Sequence, residues 1–306
     1  MPSSANNTRL DLFTHVTNRI VADLEQGVRP WIRPWSVSHA EGRITKPLRY
    51  NGEPYAGINI LLLWSEAVSR GFANSTWMTF RQALELGAHV RKGETGSTVV
   101  YANRIMRSEV AEDGSEAVRE IPFLKAYSVF NVEQIEGLPK SYYAPVLQII
   151  STLDRIALAE AFFANCRADI RYGGTSAFYA IHPDYVQLPL FETFSDAESY
   201  YATLGHEMTH WTRHSSRLDR DLGRKHWGDE GYAREELVAE LGAAFLCADL
   251  GLDLEPREDH ASYIASWLEV LKQDKRFIFA AAAHAQRAVD YLRSLQPHPE
   301  TVLPPN

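Results

Sequence analysis

Residues 197–214 read AESYYATLGHEMTHWTRH, and within them His206-Glu207-Met208-Thr209-His210 form an HExxH pattern. On an α-helix, residues four apart lie one above the other on the same face. His206 and His210 therefore offer two imidazole nitrogens to one metal ion, and Glu207 sits beside that face, where it can take a proton from water. The flanks fit a helix. Ser195 or Asp196 supplies an N-cap, and Glu198 lies in the first turn. Gly205 precedes His206, and its missing side chain is expected to leave room for a neighbouring strand or a substrate.

Two histidines do not make a catalytic site, because a catalytic zinc takes three protein ligands and keeps one position open. The next helical pattern is Arg234–Leu250, REELVAELGAAFLCADL, with Leu237, Leu241, Ala244, Phe245 and Leu250 at three- and four-residue steps. Glu236 and Glu240 share a face of it, and Ala239, Ala243 and Ala244 let a second helix approach. Glu236 is the expected third ligand. Glu240, one turn on, is the expected acceptor for the outer ring N–H of a ligating histidine, which fixes its tautomer. Glu235 competes for the ligand role but lies about 100° round the helix. The ligand set favours Zn2+, while Mn2+, Co2+ or Ni2+ suit the same donors. An oxyanion stabiliser is required; Tyr200, Tyr201, Tyr232 and His226 are the nearby possibilities.

The remainder of the chain frames these two helices. A length of 306 residues accommodates two domains, and 45% hydrophobic with 23% charged residues is an ordinary globular balance. No apolar run is long enough to span a membrane, and the start MPSSANNTRLDLF lacks a basic-then-apolar signal, so a cytoplasmic protein without membrane contact is expected. Cys166 and Cys247 lie in apolar helical contexts and read as reduced core residues. The net charge of −8 is uneven: residues 1–107 hold 13 Lys and Arg against 8 Asp and Glu, whereas residues 108–306 hold 18 against 31. Such asymmetry points to a polyanionic partner for the front half.

In chain order, the patterns predict an amphipathic helix over 10–27, an irregular Pro/Trp/Arg stretch over 28–50, and helices over 58–70 and 77–86. A basic Gly-rich turn over 90–97 follows, then strands 98–106 and 121–131 joined by a polar loop. Residues 137–143 are the linker candidate. Behind them come a helix over 152–165, buried through Ile156, Leu158, Ala161 and Phe162, three short strands (168–172, 177–182, 185–188), the two glutamate- and histidine-bearing helices, and one or two helices over 260–295. The layout is α+β, divided as 1–140 and 141–306. Basic residues interleaved with aromatics suit a single-strand nucleic-acid binder, in which Arg and Lys track phosphates and rings stack on bases. The candidates are Trp31, Arg33, Trp35, Arg43, Lys46, Arg49, Tyr50, Tyr55, Arg91 and Lys92, with Arg81 and Tyr101 beside them. Trp64 and Trp77, within apolar stretches, read as core.

Several motifs in order resemble one family. They are Pro30-Trp31 and Pro34-Trp35, Tyr50-Asn51-Gly52 with Tyr55-Ala56-Gly57-Ile58-Asn59, Trp77-Met78-Thr79-Phe80, Val90-Arg91-Lys92-Gly93-Glu94, the HExxH stretch with Trp211, Glu235–Glu240, and Tyr263–Leu268. Together they look like the ArdC-type antirestriction proteins of conjugative plasmids, related to the front part of TraC-type plasmid primases. The resemblance implies an N-terminal single-stranded-DNA-binding domain and a C-terminal zincin-like metallopeptidase domain. It implies a role in protecting incoming plasmid DNA from host restriction, with a host restriction-system protein as the peptidase's substrate. It also implies His206, His210 and Glu236 as metal ligands and Glu207 as catalytic acid/base. Two other readings compete: a DNA-binding protein whose metal site is structural or vestigial, and a cytoplasmic metallopeptidase whose front domain binds protein.

Overall fold

The structure, a computed structural model, describes residues 4–31, 45–110, 116–143, 152–223, 229–252 and 260–297. The architecture is α+β. In the front half, α1 (Ser4–Glu25) buries Val16, Ile20 and Leu24, the stripe expected of it. After the two-residue β1 (Leu48–Arg49), α2 (Ile58–Arg70) buries Leu61, Leu63 and Trp64 and stops at Gly71, whose φ of 69° is left-handed and favours a residue without Cβ.

The helix expected over 77–86 is instead a strand followed by a shorter helix. β2 (Thr76–Met78) carries Trp77 into the core, and α3 spans only Phe80–Glu85. The break is made by Thr79. Its side chain accepts from the Gln82 amide, while the Gln82 side chain accepts from the Thr79 amide, so the helix begins there. β3 (His89–Val90) leads into the long hairpin β4 (Ser97–Val110) and β5 (Glu116–Asn131), whose register runs from Ser97↔Val129 to Val110↔Glu116. The front sheet has the order β1-β2-β5-β4, and β3 pairs separately with β6 (Ile135–Glu136). The candidate linker 137–143 is tied to this half: Leu138 is buried, and the Tyr143 hydroxyl donates to the Ile135 carbonyl at 2.7 Å.

In the back half, α4 (Thr152–Asn165) buries Ala159 and Phe163, while Leu158 is 46% exposed. The buried stripe is thus shifted by one residue from the expected one, a consequence of a helix with apolar side chains at both 158–159 and 162–163. A small sheet of order β7-β9-β8 follows, built of β7 (Asp169–Tyr172), β8 (Phe178–Ala180) and β9 (Tyr185–Leu188), with β8 at an edge. Then come α5 (Ala197–Trp211), α6 (Glu230–Leu250), α7 (His260–Gln273) and α8 (Phe277–Ser294). Asp196 caps α5 and Asp229 caps α6, each accepting a backbone N–H at 2.7 Å.

One apolar core runs through both halves. It joins Ile20, Trp31, Trp64 and Trp77 in front to Leu204, Phe245, Trp267 and Ile278 behind. Trp31 meets Trp267 at 6.1 Å, and Trp64 meets Phe245 at 6.0 Å. Cys166 and Cys247 are buried and unbridged, as a reduced core requires. Among the described residues no helix is long and apolar enough to cross a membrane.

Candidate metal centre

Helices α5 and α6 pack together because each presents small groups to the other. Gly242 is the tightest point: a Cβ there would stand 2.5 Å from the Thr209 side chain. Gly205 faces the same helix, with Leu246, Phe163 and Ala243 as its neighbours. Its expected neighbour, a strand or a substrate, is thus replaced by helices.

This packing brings His206, His210 and Glu236 together. One donor atom from each lies within 4.8 Å of the others. The His206 Nε2 is 3.4 Å from Glu236 Oε2, and the His210 Nε2 is 3.5 Å from Glu236 Oε1. Ligands held about 2.1 Å from a tetrahedral cation stand roughly 3.4 Å from each other, so the donors already have the spacing of a coordination shell. All three residues are buried. Their electrostatics show the same preference for a positive charge at the centre. Burial would lower the His210 pKa, but the Glu236 and Glu235 carboxylates raise it to about 10. Burial likewise opposes ionisation of Glu236, yet the two imidazoles hold its carboxyl far below the ordinary range.

The outer nitrogens of the two histidines have different surroundings. His210 Nδ1 lies 3.1 Å from Glu235 Oε1, a hydrogen bond. The fully buried Glu235 is gripped in turn by Arg220, whose Nε and Nη2 donate to its two oxygens at 3.0 and 2.7 Å. Arg220 also donates to the Thr209 carbonyl and the Thr212 hydroxyl. Burial alone would raise the Glu235 carboxyl, but His210 and Arg220 hold it at about 2. An ionised Glu235 only accepts, so His210 Nδ1 is the donor to it, and Nε2 is the nitrogen that faces Glu236. Glu240 takes the corresponding place for His206, but more loosely, with Oε2 3.8 Å from Nδ1. Its other oxygen lies 3.4 Å from the Trp31 indole nitrogen and 3.8 Å from Arg29 Nη1.

The outer-shell role expected of Glu240 is thus filled most directly by Glu235, with Arg220, and neither was legible as such. A 100° offset on a helical wheel places Glu235 off the Glu236–Glu240 face, but it does not exclude contact with the far side of a ring one turn along the neighbouring helix. Arg220 lies in a loop between Asp219 and Asp221 with no motif around it; only its burial against Glu235 marks it.

Glu207 is buried beside His206 and lines a cavity of about 860 Å³ together with both histidines, Glu236, Tyr232 and Tyr263. The edge strand β8 forms part of its wall. Of the tyrosines considered as oxyanion donors, only Tyr232 lines this cavity. Its hydroxyl is 3.0 Å from that of Tyr263, and burial together with the Glu236 charge keeps it protonated well above the usual range. Tyr201 instead donates to Glu160 at 2.6 Å, and Tyr200 packs among Phe191, Phe194 and Tyr201. His226 lies outside the described residues.

The front-half candidates divide sharply. Trp31 is completely buried, and Lys46 is buried in an ion pair with Asp249 at 2.7 Å, so neither offers a face to a nucleic acid. Both belong to the core shared with the back half, which a Pro/Trp/Arg composition does not distinguish from a binding stretch. Tyr55 is 9% exposed beneath the Arg49 guanidinium, 5.4 Å from its ring centre. Arg49, Tyr50, Arg91 and Lys92 are exposed, although Arg91 is paired with Glu94 at 2.8 Å. Arg33, Trp35 and Arg43 lie outside the described residues.

Residues 10–130 match the family model of the N-terminal domain of the anti-restriction factor ArdC, and residues 157–284 match a zincin-like metallopeptidase model. An uncharacterized Sinorhizobium fredii protein, y4eC, is 41% identical over 94% of both chains. The Escherichia coli DNA primase TraC is 36% identical over 92% of this chain but only 27% of the primase. The crystal structure of the antirestriction protein ArdC from the R388 plasmid, in metal-free form, is 46% identical with a TM-score of 0.78, covering 93% of this chain and 97% of that one. The Mn(II)-bound form of the same protein superposes with a TM-score of 0.76 at 45% identity, with the same coverage.

Proposed function

Because this chain belongs to the ArdC family of antirestriction proteins, we propose that it binds single-stranded DNA through its front half and hydrolyses protein through a divalent-metal site in its back half. The biological role in this reading is protection of incoming conjugative plasmid DNA from host restriction. In this reading the DNA-binding part is 1–140 and the peptidase part 141–306, a boundary that lies in the interval between the two matched stretches, and a host restriction-system protein is the substrate class.

The observation that carries the peptidase half is the convergence of His206, His210 and Glu236 at coordination spacing on a cavity that also contains Glu207. These three residues would hold the cation, Zn2+ by the donor set or Mn2+ as in the R388 relative. Bound there, the cation would lower the pKa of water toward neutrality and polarise a peptide carbonyl. Glu207 takes the proton of the attacking water and passes it to the leaving amine. Tyr232, protonated and facing the cavity, donates toward the oxygen on which negative charge develops. Glu235 and Arg220 hold His210 in the tautomer that leaves Nε2 able to ligate.

Glu207→Gln separates hydrolysis from metal binding. The variant should take up Zn2+ like the parent in calorimetry yet cleave neither an unfolded protein nor a restriction subunit. Undiminished plasmid protection by this variant in a conjugation assay would instead assign protection to DNA binding alone. Oligonucleotide binding that falls steeply with added salt supports the front-half reading, since phosphate contacts release counterions.

A further inference from the structure

The front half contains a second cavity, of about 250 Å³, on the outer face of the β4–β5 hairpin. The opposite face of that hairpin is occupied: Val100 and Leu124 pack with Val16 of α1 and Leu62 of α2. Strand alternation therefore turns Val99, Tyr101, Tyr127 and Val129 to the other face, where the two valines join the main core and the two tyrosines reach the surface. Val99 and Val129, 7% and 2% exposed, make an apolar floor. Tyr101 and Tyr127 stand over it, 47% and 45% exposed, with ring centres 6.4 Å apart and planes at 75°. Arg49, on the neighbouring β1, closes one side with its guanidinium over Tyr55. Lys125 is directly opposite Tyr101 in the register, and among the described residues no carboxylate lines the cavity.

We infer that this cavity is a base-binding pocket, which takes one unpaired base of single-stranded DNA against Tyr101 and Tyr127 while Arg49 holds an adjacent phosphate. The inference rests on the DNA-binding reading of the front half and goes beyond it by naming the place. Two edge-to-face rings over an apolar floor suit a flat heterocycle: a base laid on one ring directs its edge at the other. Stacking of this kind accepts any base, because every base has a π-face. Arg49 on a lining without carboxylates suits a polyanion and disfavours a basic peptide in the same groove. The tyrosines supply the base contact that buried Trp31 and Tyr55 cannot.

The test uses the full-length protein and fluorescein-labelled oligothymidylate, with anisotropy read across a salt series. Tyr101→Ala and Tyr127→Ala should each weaken binding by about tenfold, the loss of one stacking contact. The slope of log K against log salt should stay unchanged, because no phosphate contact is removed. Tyr127→Phe should bind like the parent. Arg49→Ala should weaken binding and reduce the salt slope by about one. Tyr172→Ala, at an exposed tyrosine of the back half, is the control. A second arm changes the ligand instead: an abasic oligonucleotide of the same length should bind the parent about tenfold more weakly, and with it Tyr127→Ala should cost nothing further. If Tyr101→Ala and Tyr127→Ala bind as tightly as the parent, or the abasic chain binds as well as oligothymidylate, the pocket proposal is overturned while DNA binding stands. If the parent fails to bind oligothymidylate even at low salt, the DNA-binding reading itself falls and the pocket with it.

Discussion

At the scale of single residues, the metal centre depends on groups that never touch the cation. Glu235 is fully buried and meets both His210 and Arg220 at hydrogen-bond distance. Glu235→Gln keeps the shape but weakens the acceptor, and metal affinity should fall by 10–100-fold, as for other outer-shell partners. Competition with a chromophoric chelator measures this; affinity equal to the parent would remove Glu235 from the site's design. The pH dependence follows from His210. Without metal its pKa is raised to about 10, so at pH 6–8 the ring holds a proton that must leave before Nε2 can ligate. Affinity should therefore rise with pH, by about tenfold per unit in that range, with about one proton released per ion. Calorimetry in two buffers of different ionisation enthalpy counts that proton. The convergence of His206, His210 and Glu236 was legible, because HExxH and a glutamate on the following helix are a spacing rule that chemistry imposes. The orienting shell was not, because which glutamate reaches which ring nitrogen depends on how two helices are rotated against each other.

At the scale of elements, that rotation is set by two glycines of unequal importance. Gly242 stands where α6 meets Thr209, and Thr209 cannot swing away, since its hydroxyl is bonded to the Gly205 carbonyl at 2.8 Å. Gly242→Ala should separate α5 from α6, costing about 1–3 kcal/mol as overpacking does, and it should weaken metal binding because Glu236 moves with its helix. Gly205→Ala meets only ordinary contacts, the nearest at 3.7 Å. It should be neutral or stabilising by up to about 1 kcal/mol through helix propensity. Thermal unfolding of the two variants decides between these expectations; equal behaviour would show that Gly242 is not the contact that sets the helix spacing. Sequence periodicity located α2, α4 and the hairpin well, because each has an unambiguous run with a stop signal. It failed on 77–86, where a strand and a helix are fused across a cap at Thr79, and on the buried face of α4, where adjacent apolar pairs fit two stripes equally.

At the scale of the whole molecule, the metal site and the front half are built on one apolar core. The core runs unbroken from Ile20 and Trp64 to Phe245 and Ile278, and Trp31 from the front half reaches Glu240 beside His206. This union was not legible, since the uneven charge and the linker candidate at 137–143 suggest two units, whereas cores merge by packing between residues about 200 positions apart, such as Trp31 and Glu240. A ligand that binds only the folded state stabilises it by about 2.7 kcal/mol at 100 times its Kd. With a shared core, that gain should reach front-half amides far from the metal. Hydrogen exchange of α2, whose Trp64 packs on Phe245 of α6, should slow on Zn2+ addition by the same free energy as exchange of α6. Trp31→Phe extends the test, because it keeps a buried ring against Trp267 but removes the indole N–H facing Glu240. The variant should lose Zn2+ affinity several-fold and show a proportionally smaller metal-induced slowing in both helices. Protection gained in α6 alone would mean that the two halves open independently, and the continuous core would then be packing without cooperativity.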